Sequence, residues 1–122
     1  MTLGKLTGAA LLLAVLLLLT GQGRAHYHGK PLPKQFVRGA LCLHKYEGAW
    51  NDGGAPYWGG LQFDYGFMST YGTWLLRNRG TADHWSPHQQ LTVAYRAYRG
   101  WKGYEGRGWR PWPATSRMCG LA

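Results

Sequence analysis

The stretch Cys42-Leu-His-Lys-Tyr-Glu47-Gly-Ala-Trp50 closes a helical pattern that decides the first part of the fold. Apolar or aromatic side chains recur upstream at the spacing of one helix face: Phe36, Val37, Ala40, Leu41 and His44. Gly48 stands where such a helix would end. We therefore predict a helix over residues 34–46, with Cys42 on it and Glu47 at its end.

Glu47 has aromatic neighbours in the sequence. Tyr46 and Trp50 flank it, and Tyr57 and Trp58 follow in the next segment. A carboxyl group packed among such rings is partly desolvated, and desolvation disfavours its charged form. A carboxylic acid held in this way can protonate a leaving oxygen near neutral pH. The plainer alternative is a helix-terminal carboxylate that faces solvent.

The segment after Trp50 predicts a turn and then a strand. Asn51-Asp-Gly-Gly54 is a turn signal, in which Asp52 is a turn residue. Tyr57-Trp-Gly-Gly-Leu-Gln-Phe63 predicts a short aromatic strand or hairpin. Its paired glycines indicate close backbone approach of a ligand or of another strand.

Two further helical regions follow. Residues 67–79 form the first, with Gly72 as a candidate break and Gly80 as its end. Ser86-Pro-His-Gln89 is a capping-box signal that starts the second, which is expected to end at Gly100 and to bury Leu91, Ala94, Tyr95 and Tyr98. The predicted fold class is α+β: one small domain of mostly short helices with a small β-hairpin.

Residues 1–25 have the layout of a secretory signal peptide. Lys5 supplies a positive start, an apolar run of eleven residues extends from Ala9 to Leu19, and small residues lead to Ala25. The run is shorter than the about 20 apolar residues of a membrane-spanning helix. We therefore expect a secreted mature chain, with an N-terminal segment at residues 26–39 and the main domain at residues 40–122.

Cys42 and Cys119 are the two cysteines of the chain. In an exported protein of this size they predict one disulfide bond, which would close a long loop and stabilise a marginal core. Two free thiols, or a metal site built on two cysteines, are the alternatives.

The composition is basic and unusually aromatic. Without the signal peptide, twelve Lys and Arg residues stand against five acids, a net charge of +7, and the chain holds seven Trp and eight Tyr. The basic residues form no cluster that would follow a phosphate backbone, so nucleic acid is not an expected partner. Trp and Tyr beside polar groups suit stacking on sugar rings, while core packing accounts for several of them.

Taken in order, these segments resemble the lysozyme-like transglycosylase domains of actinobacterial cell-wall enzymes, including the resuscitation-promoting factors. The resemblance covers about residues 40–121 and is carried by Cys42, Glu47-Gly48 with Trp50, the Tyr57 to Phe63 segment, Gln90 with Val93-Ala94, and Trp112-Pro113 before Cys119. It implies a compact lysozyme-like fold that cuts peptidoglycan between N-acetylmuramic acid and N-acetylglucosamine. It further implies Glu47 as the general acid and Gln62 as a residue that lines the sugar groove.

The chain departs from the family pattern at three places, one of which is a turn between Trp50 and Tyr57 that is shorter than usual. Family members often carry the cysteine directly before the glutamate, whereas Cys42 lies five residues before Glu47. Phe67 occupies a position where many members have a small hydroxyl residue. The disulfide geometry and one substrate-orienting hydrogen bond are therefore expected to differ.

Asp64 is the second candidate catalytic residue. If the strand continues past Gln62, both side chains face the same side, and Asp64 would stabilise a positively charged sugar or orient water. The alternative is a helix cap for the turn at residues 65–71. Trp50, Tyr57 and Trp58 are candidate substrate-binding residues, of which we expect some to line the groove and some to fill the core.

A copper site is a weaker hypothesis. Cleavage after Ala25 would leave the sequence His26-Tyr-His28 at the new terminus, and its nitrogen atoms can chelate Cu(II). The alternative is a disordered basic segment. No second matching histidine accompanies it, so we expect no metal and no cofactor.

The sequence thus predicts a secreted, wall-associated monomer that cleaves peptidoglycan glycan strands and does not bind membranes after signal cleavage. Attack by the muramoyl 6-hydroxyl would give a 1,6-anhydro product, and attack by water would give hydrolysis. The alternative function is a non-catalytic module that binds cell-wall polysaccharide through its aromatic groove and positive charge.

Overall fold

A computed structural model describes residues 30–100 and 108–121. Contacts divide the chain into two units, Met1–Pro31 and Leu32–Ala122, and the second is the one described below. Residues 30–100 and 108–121 contain five α-helices and one short 3₁₀ helix, in this order: α1 Lys34–Glu47, α2 Tyr65–Tyr71, α3 Thr73–Arg79, η1 Ala82–His84, α4 Pro87–Tyr98 and α5 Pro113–Met118. The predicted signal peptide and the His26-Tyr-His28 sequence lie outside the described residues.

Helix α1 confirms the first predicted helix and extends it by one residue, so Glu47 is its last residue. Its buried face differs from the predicted one. Leu43 is buried and Leu41 is 43% exposed, so Leu41 was wrongly assigned to the core face. The reason is a close approach at Gly39, where an added Cβ would lie 2.4 Å from the ring of Trp109. The absence of a side chain lets the C-terminal segment pack there and turns Leu41 outwards.

The predicted β-hairpin is wrong: within the described residues no strand forms. Trp58 and Phe63 make a single antiparallel bridge, with reciprocal backbone hydrogen bonds of 2.9 Å each. The chain turns tightly between them, and Gln62 adopts a φ of 52°. The paired glycines explain why no strand extends. A Cβ on Gly59 would lie 2.4 Å from Gln90 Oε1, and one on Gly60 would meet the ring of Trp50 at 2.5 Å.

The later helices match the sequence more closely. The second helical region breaks at Gly72 into α2 and α3, as predicted. Helix α4 begins with the predicted capping box: Gln89 N–H donates to Ser86 Oγ at 3.1 Å, and Ser86 N–H donates to Gln89 Oε1 at 2.9 Å. Reciprocal bonds of this kind satisfy two backbone N–H groups that have no acceptor within the helix.

The core is one cluster beneath α1, α2 and α4. Leu91 and Ala94 are buried as predicted, whereas Tyr95 and Tyr98 are half-buried and pack on Phe36 with ring centroids 4.9 and 5.1 Å away. The remaining buried apolar residues are Ala40, Leu43, Leu61, Phe63, Met68, Tyr71, Ala82, Trp85, Val93, Ala97 and Trp112. Among the described residues no helix is long and apolar enough to cross a membrane.

The C-terminal segment packs against α1 and forms helix α5, which the sequence analysis did not predict. Cys119 is bonded to Cys42, with an S–S distance of 2.12 Å and Cα atoms 6.0 Å apart, which confirms the predicted disulfide. Trp112 is buried and donates from Nε1 to the carbonyl oxygen of Leu61 at 2.8 Å. The covalent bond and the buried indole together hold α5 against the body.

Candidate functional site

The carboxylate of Glu47 is held by the C-terminal helix. Thr115 Oγ1 donates a hydrogen bond to Glu47 Oε1 at 2.6 Å, across 68 positions of sequence. Thr115 is buried and Glu47 is half-buried. Because the disulfide joins Cys42 on α1 to Cys119 just after α5, the two helix ends that carry this hydrogen bond are also covalently joined.

A second carboxylate, that of Asp52, lies close to Gly48, the residue that follows Glu47. A Cβ added to Gly48 would be 3.0 Å from Asp52 Oδ2 and 3.0 Å from Gln62 Nε2. Gln62 Nε2 donates to Asp52 Oδ2 at 2.9 Å and to the carbonyl oxygen of Gly59 at 2.9 Å. Gln62 therefore lies beside Gly48 at the end of α1, and it orients the Asp52 carboxylate.

The sequence analysis gave Asp52 only a turn role and missed its second contact. Its Oδ1 accepts from Gly54 N–H at 3.1 Å, which agrees with the predicted turn role. Its Oδ2 has a further partner in Gln62, which the turn signal could not reveal. Asp52 pairs with a residue ten positions later, across the tight turn at Gly59 and Gly60, called the glycine turn below. No regular spacing in the sequence indicates such a pair.

Asp64 caps α2. Its Oδ1 accepts from the backbone N–H of Phe67 at 2.7 Å, and its side chain is exposed. This is the capping alternative, which the structure confirms. The expectation that Asp64 shares a strand face with Gln62 is wrong, because no strand forms there and Gln62 has a positive φ. The sequence argument for a catalytic Asp64 relied on a strand face shared with Gln62, and the described residues form no such face.

Trp50 is part of a stacked pair. Its ring lies on that of His44, with centroids 3.9 Å apart and an angle of 21° between the planes. His44 Nδ1 donates to the carbonyl oxygen of Gly60 at 3.0 Å, since a carbonyl oxygen can only accept. Trp50 thus fixes the loop between Glu47 and the glycine turn. The close approach that the paired glycines indicated is made by side chains of the protein itself, those of Trp50, His44 and Gln90.

The other aromatic candidates divide between core and surface. Trp58 is half-buried and packs on the core. Tyr57 and Tyr46 are each 49% exposed. Tyr46 directly precedes Glu47 in α1, so the two residues lie in the same last turn of the helix. Of the predicted substrate-binding residues, Tyr57 has the exposed surface that stacking on a sugar requires, and Trp50 and Trp58 serve packing as well.

Gln90 connects the backbone segments around the candidate site through hydrogen bonds. It is fully buried, and its Oε1 accepts from Gly60 N–H at 2.8 Å. Its Nε2 lies within hydrogen-bond distance of the carbonyl oxygens of Trp50 at 2.8 Å, Ala82 at 2.8 Å and Trp85 at 3.1 Å. One side chain therefore joins the Trp50 loop, the glycine turn and the segment before α4. The sequence singled out Gln90 only through the family resemblance.

No group of three or more His, Cys, Asp and Glu side chains in residues 30–100 and 108–121 is arranged to hold a metal ion. The remaining described carboxylate, that of Asp83, is engaged locally with Thr81 and His84. The candidate site is therefore an arrangement of Glu47 with Thr115, and Asp52 with Gln62, around the end of α1.

Comparison of the chain with protein-family models, with curated proteins and with solved structures gives no match. A functional hypothesis for the chain accordingly depends on its own residues and on their geometry.

Proposed function

We propose that the chain is a secreted peptidoglycan-cleaving glycosidase in which Glu47 is the general acid. The observation that carries the proposal is the half-buried Glu47 carboxylate, which accepts a hydrogen bond of 2.6 Å from Thr115, while Asp52 and Gln62 lie close to the next residue, Gly48. Glycosidic-bond cleavage uses two carboxyl groups that flank the scissile bond, and Asp52, oriented by Gln62, is the candidate for the second. The motif resemblance to lysozyme-like transglycosylases selects peptidoglycan as the substrate.

In this proposal Glu47 gives its proton to the glycosidic oxygen as the bond breaks. The Asp52 carboxylate, which Gln62 orients, stabilises the positive charge that develops on the sugar. Two outcomes are open to the sugar. The muramoyl 6-hydroxyl attacks the anomeric carbon, its proton returning to Glu47, and gives a 1,6-anhydro end; or water attacks and gives a reducing end.

The second candidate function is a non-catalytic wall-binding module. The half-exposed rings of Tyr46 and Tyr57 favour it, because exposed aromatic side chains bind sugars without any requirement for an acid. The two candidates differ at Glu47: catalysis needs its proton, and binding does not.

Digestion of purified peptidoglycan, with mass spectrometry of the soluble fragments, tests the proposal. Anhydro and reducing ends differ in mass by one water, so the spectrum also identifies the attacking group. Glu47→Gln keeps the size of the side chain and should lower fragment release by about 10²–10⁴-fold, the typical contribution of a general acid, while binding to the wall persists. Fragment release at the wild-type rate by this variant would refute the enzymatic proposal, and wall binding without any fragments from the wild type would favour the module.

A further inference from the structure

A cavity of about 310 Å³ lies against the C-terminal helix, away from the Glu47 contact. It is lined by Trp109, Arg110, Pro113, Ser116, Arg117 and Leu121. The rotation of about 100° per residue along a helix puts Pro113, Ser116 and Arg117 on one side of α5 and Thr115 on the other. Thr115 contacts Glu47, so the cavity and the candidate active site lie on different faces of the same helix.

The two guanidinium groups of this cavity are not neutralised by the described part of the chain. Arg110 and Arg117 are exposed, and neither forms an ion pair with any described carboxylate. The described acids have hydrogen-bond partners elsewhere: Glu47 with Thr115, Asp52 with Gln62, Asp64 with the Phe67 amide and Asp83 with Thr81. A guanidinium group offers planar, paired donors that match the two oxygens of a carboxylate. The cavity is therefore suited to an anion.

The third feature of the cavity is a rigid indole. Trp109 stacks on Phe36, with ring centroids 5.5 Å apart and planes within 1° of parallel, and it packs on Tyr98 at 4.7 Å. Its ring also lies against Gly39, where no side chain could be accommodated. An aromatic ring that is already immobilised offers apolar contact at little cost in conformational entropy. Such a ring suits the C–H face of a sugar.

We propose that this cavity binds an acidic saccharide unit, with the carboxylate on Arg110 and Arg117 and the sugar ring against Trp109. Its volume is at the lower end of the range of about 300–1,000 Å³ for small-molecule sites, which fits a single sugar residue better than an extended chain. This inference is a second binding site and does not depend on the glycosidase proposal, because none of its residues contacts Glu47 or Asp52 in the structure.

The test is a titration followed by NMR. The indole N–H signal of assigned Trp109 is observed while methyl β-D-glucuronide, methyl β-D-glucoside or acetate is added at the same millimolar concentrations. The glucuronide should shift the signal in a saturable manner. The glucoside, which lacks the carboxylate, and acetate, which lacks the ring, should each bind at least about tenfold more weakly.

Two double variants complete the experiment. Arg110→Gln with Arg117→Gln should weaken glucuronide binding by about tenfold or more, and both side chains are exposed, so the fold should persist. Arg77→Gln with Arg79→Gln on α3 removes the same charge elsewhere and should leave binding unchanged. Equal weakening by both pairs would mean general charge attraction and would overturn the site. Equal binding of glucoside or acetate, or no shift of the Trp109 signal, would overturn the saccharide assignment.

Discussion

Thr115 Oγ1 lies 2.6 Å from Glu47 Oε1, so a residue of the C-terminal helix holds the carboxylate at the end of the first helix. This relationship depends on α5, which the disulfide fixes to α1. Cys42, where this bond is made, lies five residues before Glu47, so α1 is tied to the C-terminal segment at two places about one and a half turns apart.

Thr115→Val retains the shape of the side chain and removes its hydroxyl. We expect this variant to lose about 1 kcal/mol of unfolding free energy, since Glu47 stays partly open to water, and to lose turnover with little change in KM. Thr115→Ser keeps the hydroxyl and should restore turnover. Urea unfolding and peptidoglycan digestion measure the two effects. If the Ser variant were as slow as the Val variant, the hydroxyl would not position Glu47.

We expect substitution of Asp by Asn to leave turnover unchanged at Asp64 and to lower it at Asp52. Asn caps a helix about as well as Asp, so Asp64→Asn should change the unfolding free energy by less than about 0.5 kcal/mol and leave turnover unchanged. Asp64→Ala removes the cap and should cost about 1 kcal/mol. Thermal or urea unfolding with a parallel digestion assay measures both. Strong loss of turnover in Asp64→Asn at unchanged stability would restore Asp64 as the second catalytic carboxylate.

Asp52→Asn keeps the turn and the side-chain volume but removes the negative charge near Gly48, at the end of α1. We expect turnover to fall by at least about tenfold with stability changed by less than about 1 kcal/mol, because an amide oxygen still accepts from Gln62 or Gly54. The Asp64→Asn variant serves as the matched control for loss of one negative charge. Equal activity of the two variants would assign Asp52 to the turn alone.

Local signals predicted the helices well, because their causes lie within a few residues. The capping box is made by Ser86 and Gln89 within one turn, and the break at Gly72 and the end of the first helix at Glu47 each coincide with a glycine. The same reasoning assigned the wrong face of α1 at Leu41. That face is decided by Trp109, some 70 positions away, whose approach to Gly39 no local pattern encodes.

The site was predicted in part for the same reason. Glu47, Gln62 and the disulfide followed from the family resemblance and the cysteine count, and the structure brings Glu47 and Gln62 to the same end of α1. Thr115 and the second partner of Asp52 are long-range contacts of single side chains. The hairpin failed because an aromatic, glycine-containing run predicts an extended chain. Burial of Gly59 and Gly60 against Gln90 and Trp50 instead bends it into a turn.

The disulfide should account for much of the stability of this small domain. Closing a loop with a sequence separation of 77 residues reduces the entropy of the unfolded chain, and the chain-entropy relation gives up to about 4 kcal/mol. We expect reduction, or Cys42→Ser with Cys119→Ser, to lower the melting temperature substantially. Non-reducing peptide mapping should find Cys42 and Cys119 in one crosslinked pair. Alkylation of two thiols in the native protein would contradict the bond.

Gln90 offers the sharpest test of how the loops of the site are held. Gln90→Leu leaves Gly60 N–H and the carbonyl oxygens of Trp50, Ala82 and Trp85 without their shared partner. A buried polar group without a partner costs about 1–3 kcal/mol, so we expect a loss of at least about 3 kcal/mol in unfolding free energy.

Gln89→Leu is the matched control, since it makes the same substitution at the neighbouring position of α4. The Gln89 side chain accepts one hydrogen bond, from Ser86 N–H, so its loss should cost only about 1 kcal/mol. Urea unfolding of both variants at neutral pH, with equal slopes against denaturant, gives the comparison. The excess loss at Gln90 should come with faster hydrogen exchange at Gly60 N–H, because that amide loses its buried acceptor. Equal losses for the two variants would show that the Trp50 loop and the glycine turn are held by packing, and that Gln90 does not organise the site.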